Sequence, residues 1–151
     1  MIRMNIQIEA NIQEKLVRAA LHARKSSYAP YSNYRVGAAI LTEDGSIFEG
    51  CNIENATYGA TNCAERTAAF KAVSEGHRNF KMIAIAGGPD QYETDFPDLA
   101  YPCGICRQVL REFSDPKELI VIVVRSGTDV AVHTLEDLLP NSFGPDHLKE
   151  G

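Results

Sequence analysis

Leu119-Ile120-Val121-Ile122-Val123-Val124 is a near-continuous run of branched aliphatic residues with no polar alternation. A strand with one wet face alternates apolar and polar residues, so an unbroken run marks a strand covered on both faces. Working outward, Val130 to His133 reads as a short strand, and Thr134 with Asp137 three residues on resembles a capping box opening a last helical turn. Upstream, Gly104 to Phe113 places Ile105, Val109, Leu110 and Phe113 on one helical face. Gly88 to Pro102 is rich in Gly, Pro and Asp and reads as a long loop of a kind often tied to function. Met82 to Ala86 is a short apolar strand.

Nearer the start, Ala64 to Glu75 is predicted helical, with Gly76 as its stop. Arg35 to Thr42 and Ser46 to Asn52 form two strands joined through Glu43-Asp44-Gly45, a hairpin signal. Ile12, Leu16, Val17, Ala19, Ala20 and Ala23 recur at helical spacing, with charged residues between them. Strands alternating with helices predict an α/β fold, three layers in α/β/α order around a mixed central sheet. Residues 1–151 are expected to form a single domain, with 1–10 an N-terminal extension in which Ile2, Met4, Ile6 and Ile8 alternate with polar residues.

Composition narrows the function. The chain has 151 residues, 44% of them hydrophobic, and a formal charge of −5. An acidic chain is a poor partner for nucleic-acid polymers, whose binding rests on lysine and arginine neutralising phosphate, and for an anionic membrane surface. No stretch approaches the roughly 18 apolar residues of a membrane span, and the start lacks the apolar run of a signal peptide. The expected location is cytoplasmic. Four cysteines in a reducing compartment are more often metal ligands or catalytic groups than disulfides.

The chemistry gathers in Cys63-Ala64-Glu65 and Pro102-Cys103-Gly104-Ile105-Cys106. Cys63 and Cys103 fall at predicted helix starts, where free N–H groups and the helix dipole stabilise thiolate. A Cys-x-x-Cys turn brings two sulfurs to one metal, and Cys63 can supply the third. Three thiolates suit zinc and leave the fourth tetrahedral position for water. Zinc shifts the pKa of bound water from ~15.7 toward ~7, on the order of 12 kcal/mol of hydroxide stabilisation. Three thiolates donate more charge than three imidazoles, so the effect here is smaller, and Arg66 is placed to withdraw some of the excess. Glu65 lies close enough to face the open position and shuttle protons without ligating.

Blander readings exist for each feature. A closed structural zinc site needs a fourth ligand, and neither Cys51 nor His22, His77, His133 or His147 sits at ligand spacing. A thioredoxin-like pair at Cys103 and Cys106 would leave Cys63 and Glu65 unexplained. Cys51 is read as a small packed side chain.

The blocks Asn62-Cys63-Ala64-Glu65-Arg66-Thr67-Ala68 and Pro102-Cys103-Gly104-Ile105-Cys106-Arg107-Gln108 resemble the small homotetrameric cytidine deaminases. Tyr31 to Ala38, Gly50 to Ala56 and Leu138 to Gly144 extend the likeness over about Ile12 to Leu148. The resemblance implies Zn²⁺ held by Cys63, Cys103 and Cys106, with zinc-held hydroxide attacking C4 of free cytidine or deoxycytidine in pyrimidine salvage. Glu65 then protonates N3 and the departing amine, a chemistry general to zinc deaminases. It also implies that Asn52 and Glu54 bind the ribose and that the Ala64 backbone meets the pyrimidine edge. Tyr34 would lie against the base, and Ala56 belongs to the same substrate-binding set. Tyr58 and Phe143 reach the pocket from neighbouring subunits of a homotetramer with shared active sites. Three departures bear on substrate preference: Tyr34 stands where Phe is common, Tyr101 where a small residue is usual, and the 88–100 loop is somewhat long. A blasticidin-S-type deaminase and a non-catalytic zinc-stapled binding module are the alternatives.

Overall fold

The structure, a computed structural model, describes residues 9–149. The alternation read at Ile2 to Ile8 therefore lies outside the described residues, and Ala10 already opens the first helix. The elements in chain order are α1 (Ala10–Arg24), β1 (Tyr34–Thr42), β2 (Ile47–Cys51), α2 (Ala64–Ser74), β3 (Phe80–Pro89), α3 (Gly104–Glu112), β4 (Ile120–Val124), β5 (Val130–Thr134) and α4 (Leu135–Leu138). Single 3₁₀ turns occur at Tyr58–Ala60 and Pro145–His147. No helix among the described residues is long and apolar enough to cross a membrane.

The five strands form one sheet in the order β2-β1-β3-β4-β5. β3 and β4 run parallel and all other neighbours antiparallel, giving the predicted mixed sheet. A parallel pair needs a long crossover, and here it passes through α3. Because side chains alternate across a strand, each central strand feeds two cores. Ala38, Ile40, Ile83, Ile85, Val121 and Val123 join Ala68 of α2 and Leu110 of α3 on one face. Ala39, Ala84, Ala86, Ile122 and Val124 join Leu16, Val17 and Ala20 of α1 on the other. The apolar run at 119–124 is buried on both sides, and three layers result, as its composition predicts.

Two glycines set the layer spacing. A Cβ on Gly37 would lie 2.1 Å from the Ala20 carbonyl oxygen of α1, and one on Gly50 would lie 2.4 Å from the Ala68 nitrogen of α2. The backbones of helix and strand touch at both points. Local signals also hold. Thr134 and Asp137 form the predicted capping box, each side chain bonding the other's backbone N–H. Gly76 ends α2 at φ +93°. In the hairpin, Gly45 takes φ +88° while the Asp44 carboxylate accepts bonds from Thr42 Oγ1 (2.6 Å) and Ser46 N (3.1 Å). Those bonds, Thr42's first, hold the Asp44 carboxyl down to about 2.

One boundary differs from expectation. β3, expected over Met82 to Ala86, begins at Phe80 and runs through Gly87 to Gly88 and Pro89, the last two expected to open the loop. They stay extended because β1 pairs with them, Arg35 opposite Gly88 and Tyr34 opposite Pro89. The buried Arg24 side chain then donates to the carbonyls of Arg35 (2.9 Å), Gly88 (3.0 Å) and Pro89 (3.0 Å), with its guanidinium 4.9 Å from the Phe96 ring. Tertiary partners overrode local propensity.

Gly50→Ala should force α2 off the sheet. Overpacking of this kind costs about 1–3 kcal/mol, so thermal unfolding should move several degrees lower at roughly 2–4 °C per kcal/mol. Gly127→Ala, with nothing within 4 Å of its Cβ position, should leave the transition nearly unmoved. Equal melting curves for the two variants would contradict the close contact.

Candidate active site

Cys63 and Cys103 are the N-cap residues of α2 and α3, both with extended backbone (φ −74°, ψ 156° and φ −67°, ψ 168°). Neither helix start receives a side-chain cap hydrogen bond, so the free N–H groups of each first turn face the sulfur region. Cys106 adds a third sulfur from the first turn of α3. The Sγ–Sγ separations are 3.9 Å for Cys63–Cys103 and 3.4 Å for Cys103–Cys106, and all three sulfurs lie within 4.8 Å of one another. The two sequence segments, about forty residues apart, therefore meet at one point.

Among the described residues no His, Asp, Glu or further Cys joins this cluster. Cys51 sits half-buried at the end of β2, its thiol pushed up by burial. Each histidine has other company: His22 pairs with Glu49, His77 with Asp44, His133 with Tyr101 and His147 with Asp146. A donor set of three sulfurs without a fourth protein ligand fits zinc with one coordination position left for a small molecule.

The charges around the sulfurs support that fit. Arg66 Nη2 lies 3.3 Å from Cys63 Sγ, while its buried Nε has no hydrogen-bond partner. Leaving a buried donor unpaired costs about 1–3 kcal/mol, so this cation is held for its charge beside electron-rich sulfur. The Cys63 thiol is drawn down to about 5 by the neighbouring Cys106 thiol and by Arg66, against the opposing effect of burial. Cys106 is pushed strongly upward by Cys63, by burial and by Glu65. Three sulfurs this close cannot all be anionic unless a cation sits among them.

Glu65 lies in the first turn of α2 and is only 5% exposed. Among the described residues it is the one buried acidic side chain. Burial pushes its carboxyl up to about 7, because the charged form loses hydration. A carboxyl in that state both gives and takes a proton near neutrality. Ala64, fully buried at the helix start, precedes it.

The segment from Asn52 to Asn62 folds back onto this helix start. Ile53 and Asn62 exchange two backbone hydrogen bonds of 2.9 Å, which sets Asn52 and Glu54 beside the residue preceding Cys63. Asn52 is buried; its Oδ1 accepts from Val36 N (2.9 Å) and its Nδ2 donates to the Tyr34 carbonyl (2.8 Å). The side-chain amide thus supplies a rung of the β1–β2 ladder just after β2 ends. The Glu54 carboxylate accepts three hydrogen bonds from Tyr31 and Ser32, which hold it below the ordinary carboxylate range, the Ser32 hydroxyl first. The Tyr34 ring sits at the surface, its phenol raised by desolvation.

Not all expected residues converge. Ala56 and Tyr58 lie in an exposed connection, with Tyr58 74% exposed and edge-on to Tyr31 at 5.8 Å. Phe143 is 57% exposed and, among the described residues, stacks on His147 alone. Its turn is clamped by residues to which the sequence analysis assigned no role. Arg111, buried in α3, donates to Ser142 Oγ (2.9 Å) and Asp146 Oδ1 (2.6 Å), and Gln108 donates to the Phe143 carbonyl (2.9 Å). A Cβ on Gly144 would lie 2.3 Å from the Arg111 guanidinium carbon. Tyr101 bonds His133 at 3.0 Å, tying the loop ahead of Cys103 to β5. An arginine predicted on a helix with a downstream Ser-x-Gly-x-Asp is the only sequence signal for the clamp.

Residues 10–123 match the profile described as the cytidine and deoxycytidylate deaminase zinc-binding region. A cytidine deaminase of Sporosarcina psychrophila is 46% identical over 135 residues, covering 89% of this chain and 93% of that one. A cytidine deaminase of Halalkalibacterium halodurans is 43% identical over 138 residues, covering 91% and 98%. The crystal structure of cytidine deaminase from Burkholderia pseudomallei superposes with a TM-score of 0.77 at 44% identity, over 90% of this chain and all of that chain. The likeness spans about nine-tenths of the chain and not the cysteines alone. This chain belongs to the zinc-dependent cytidine and deoxycytidylate deaminase family.

Proposed function

We propose that this chain hydrolyses free cytidine and deoxycytidine to uridine and deoxyuridine with release of ammonia, in cytoplasmic pyrimidine salvage. That it is a zinc-dependent cytidine deaminase is carried by its family. The structural observation that supports it most is a three-sulfur cluster, with no fourth protein ligand among the described residues, beside a buried carboxyl. Relatives at this identity do not favour a blasticidin-S-type deaminase or a zinc-stapled module without turnover.

In this reading Cys63, Cys103 and Cys106 hold the zinc. When bound there, zinc lowers the pKa of a coordinated water toward ~7 and so supplies a nucleophile at neutral pH. The reaction exchanges the C4–N bond of the base for a C4–O bond, consuming one water and releasing one ammonia. Glu65 carries the protons, first to ring N3 and then to the departing amino nitrogen. Arg66 offsets the charge of the sulfurs. The Ala64 N–H, without an intrahelical acceptor at the first position of α2, orients the pyrimidine edge.

Asn52 and Glu54 bind the sugar as donor and acceptor, Tyr34 walls the base, and Ala56 lies with them in the substrate-binding set. Tyr58 and Phe143 complete the pocket of a neighbouring copy in a homotetramer. Their exposure supports this: large aromatic rings left uncovered by their own chain suit a wall lent to a partner. A formal charge of −5 and a grip on a free sugar favour a nucleoside over a nucleic-acid polymer.

Glu65→Gln should keep the fold and wild-type zinc content while kcat falls by at least ~10²–10⁴-fold; near-normal turnover would remove Glu65 from the chemistry. Arg66→Ala should lose zinc faster on dialysis, read by metal analysis, and unaltered retention and activity would refute its charge role. Native mass measurement should give four copies, with Phe143→Ala raising KM for cytidine. A fully active monomer would take Tyr58 and Phe143 out of the site.

A further inference from the structure

We propose that Ser32 is a positioning residue that fixes the Glu54 carboxylate for one sugar hydroxyl and couples the sugar-binding pair to the Tyr34 wall. This rests on the reading of Asn52 and Glu54 as that pair. Ser32 lies in the turn between α1 and β1, more than twenty residues from Glu54 in the chain.

Counting hydrogen-bond capacity leads to the assignment. Glu54 Oε1 accepts from the Tyr31 N–H (2.9 Å) and the Ser32 N–H (3.1 Å), and Oε2 accepts from Ser32 Oγ (2.5 Å). An ionised carboxylate offers about four acceptor sites. Three are filled, and the remaining one is on Oε2. The Ser32 hydroxyl has a single proton, with a short acceptor in Glu54 and a poor one in the Tyr34 carbonyl at 3.5 Å. That carbonyl is already served by Asn52 Nδ2 at 2.8 Å. The proton therefore goes to Glu54, and Ser32 Oγ is free to accept the Tyr34 N–H at 3.0 Å.

Asn52 is constrained in the same manner. One N–H and one lone pair of its amide are spent on Tyr34 and Val36, leaving one N–H and one lone pair free. Glu54 thus presents one acceptor and Asn52 one donor, which together match a single hydroxyl that gives and receives a hydrogen bond. The Tyr34 backbone is held at its N–H by Ser32 and at its carbonyl by Asn52. The base wall and the sugar grip are one network.

The turn is built to hold Ser32 in place. Asn33 adopts φ +54°, donates to the Ala29 carbonyl (3.1 Å) and accepts from the Asp90 N–H (2.7 Å). Without the Ser32 hydroxyl, Oε2 loses its anchor and the Tyr34 N–H loses its acceptor together.

Cytidine and deoxycytidine share a 3′ hydroxyl on the sugar ring, so 2′,3′-dideoxycytidine tests whether the effect runs through that group. Hydrogen bonds to charged groups carry about 10- to 100-fold. Ser32→Ala should lower kcat/KM for cytidine by about that factor, mostly through KM, and change it by less than about 3-fold for 2′,3′-dideoxycytidine; Ser32→Thr should restore it. Glu54→Gln, measured in parallel, should show the same substrate dependence. If Glu54→Gln affects both substrates alike, the sugar-binding reading fails and the Ser32 assignment with it. If Glu54→Gln discriminates while Ser32→Ala is silent or affects both substrates equally, the Ser32 assignment alone is overturned.

Discussion

Two helix starts aimed at one point are the constraint on which the site depends. Cys63 and Cys103 both leave their loops with extended backbone and enter helices whose first N–H groups have no side-chain cap. Such an end favours negative charge, and Cys106 in the first turn of α3 brings a third sulfur within 4.8 Å of the others. Neutral thiols would gain little from this crowding, and bare thiolates would repel. A cation resolves both difficulties, and Arg66 at 3.3 Å from Cys63 Sγ takes up part of the remaining charge.

That convergence depends on how closely the helices lie on the sheet. Gly50 lets the α2 backbone, at Ala64 and Ala68, rest directly on β2. The residues that begin α2 are those that carry Cys63, Glu65 and Arg66. α3 forms part of the crossover that makes β3 and β4 parallel, so its position is tied to the strand order. The alternating aliphatic side chains of β1, β3 and β4 cover both faces, and the sheet can then act as a rigid support for chemistry at its edge.

The proposed sugar side is assembled differently, by polar groups serving as backbone. Asn52 extends the β1–β2 ladder with its side chain, and Glu54 collects N–H groups from a turn that has left α1. Glu54 spends three of about four acceptor sites on the protein and Asn52 half of its amide's capacity, and what is left over has a defined direction. Preorganisation of this kind reduces the ordering cost of binding. Arg111 does similar work by gathering Ser142 and Asp146 about the exposed Phe143.

By itself the chain determined what depends on residues within about one turn of each other. The period of 119–124, the Thr134 capping box, the Gly45 and Gly76 turns, and the cysteines and Glu65 at helix starts were all legible, because caps, turns and dipoles act between near neighbours in sequence. Only the tertiary structure decided the length of β3, the double use of Asn52, the bond from Ser32 to Glu54 and the Arg111 clamp. Those partners lie from 16 to 65 residues apart, and a hydrogen bond between them exists only once sheet register has brought both ends to the same place. Gly87-Gly88-Pro89 carries loop propensity and becomes strand for that reason, since β1 and Arg24 satisfy its backbone groups when the layers close.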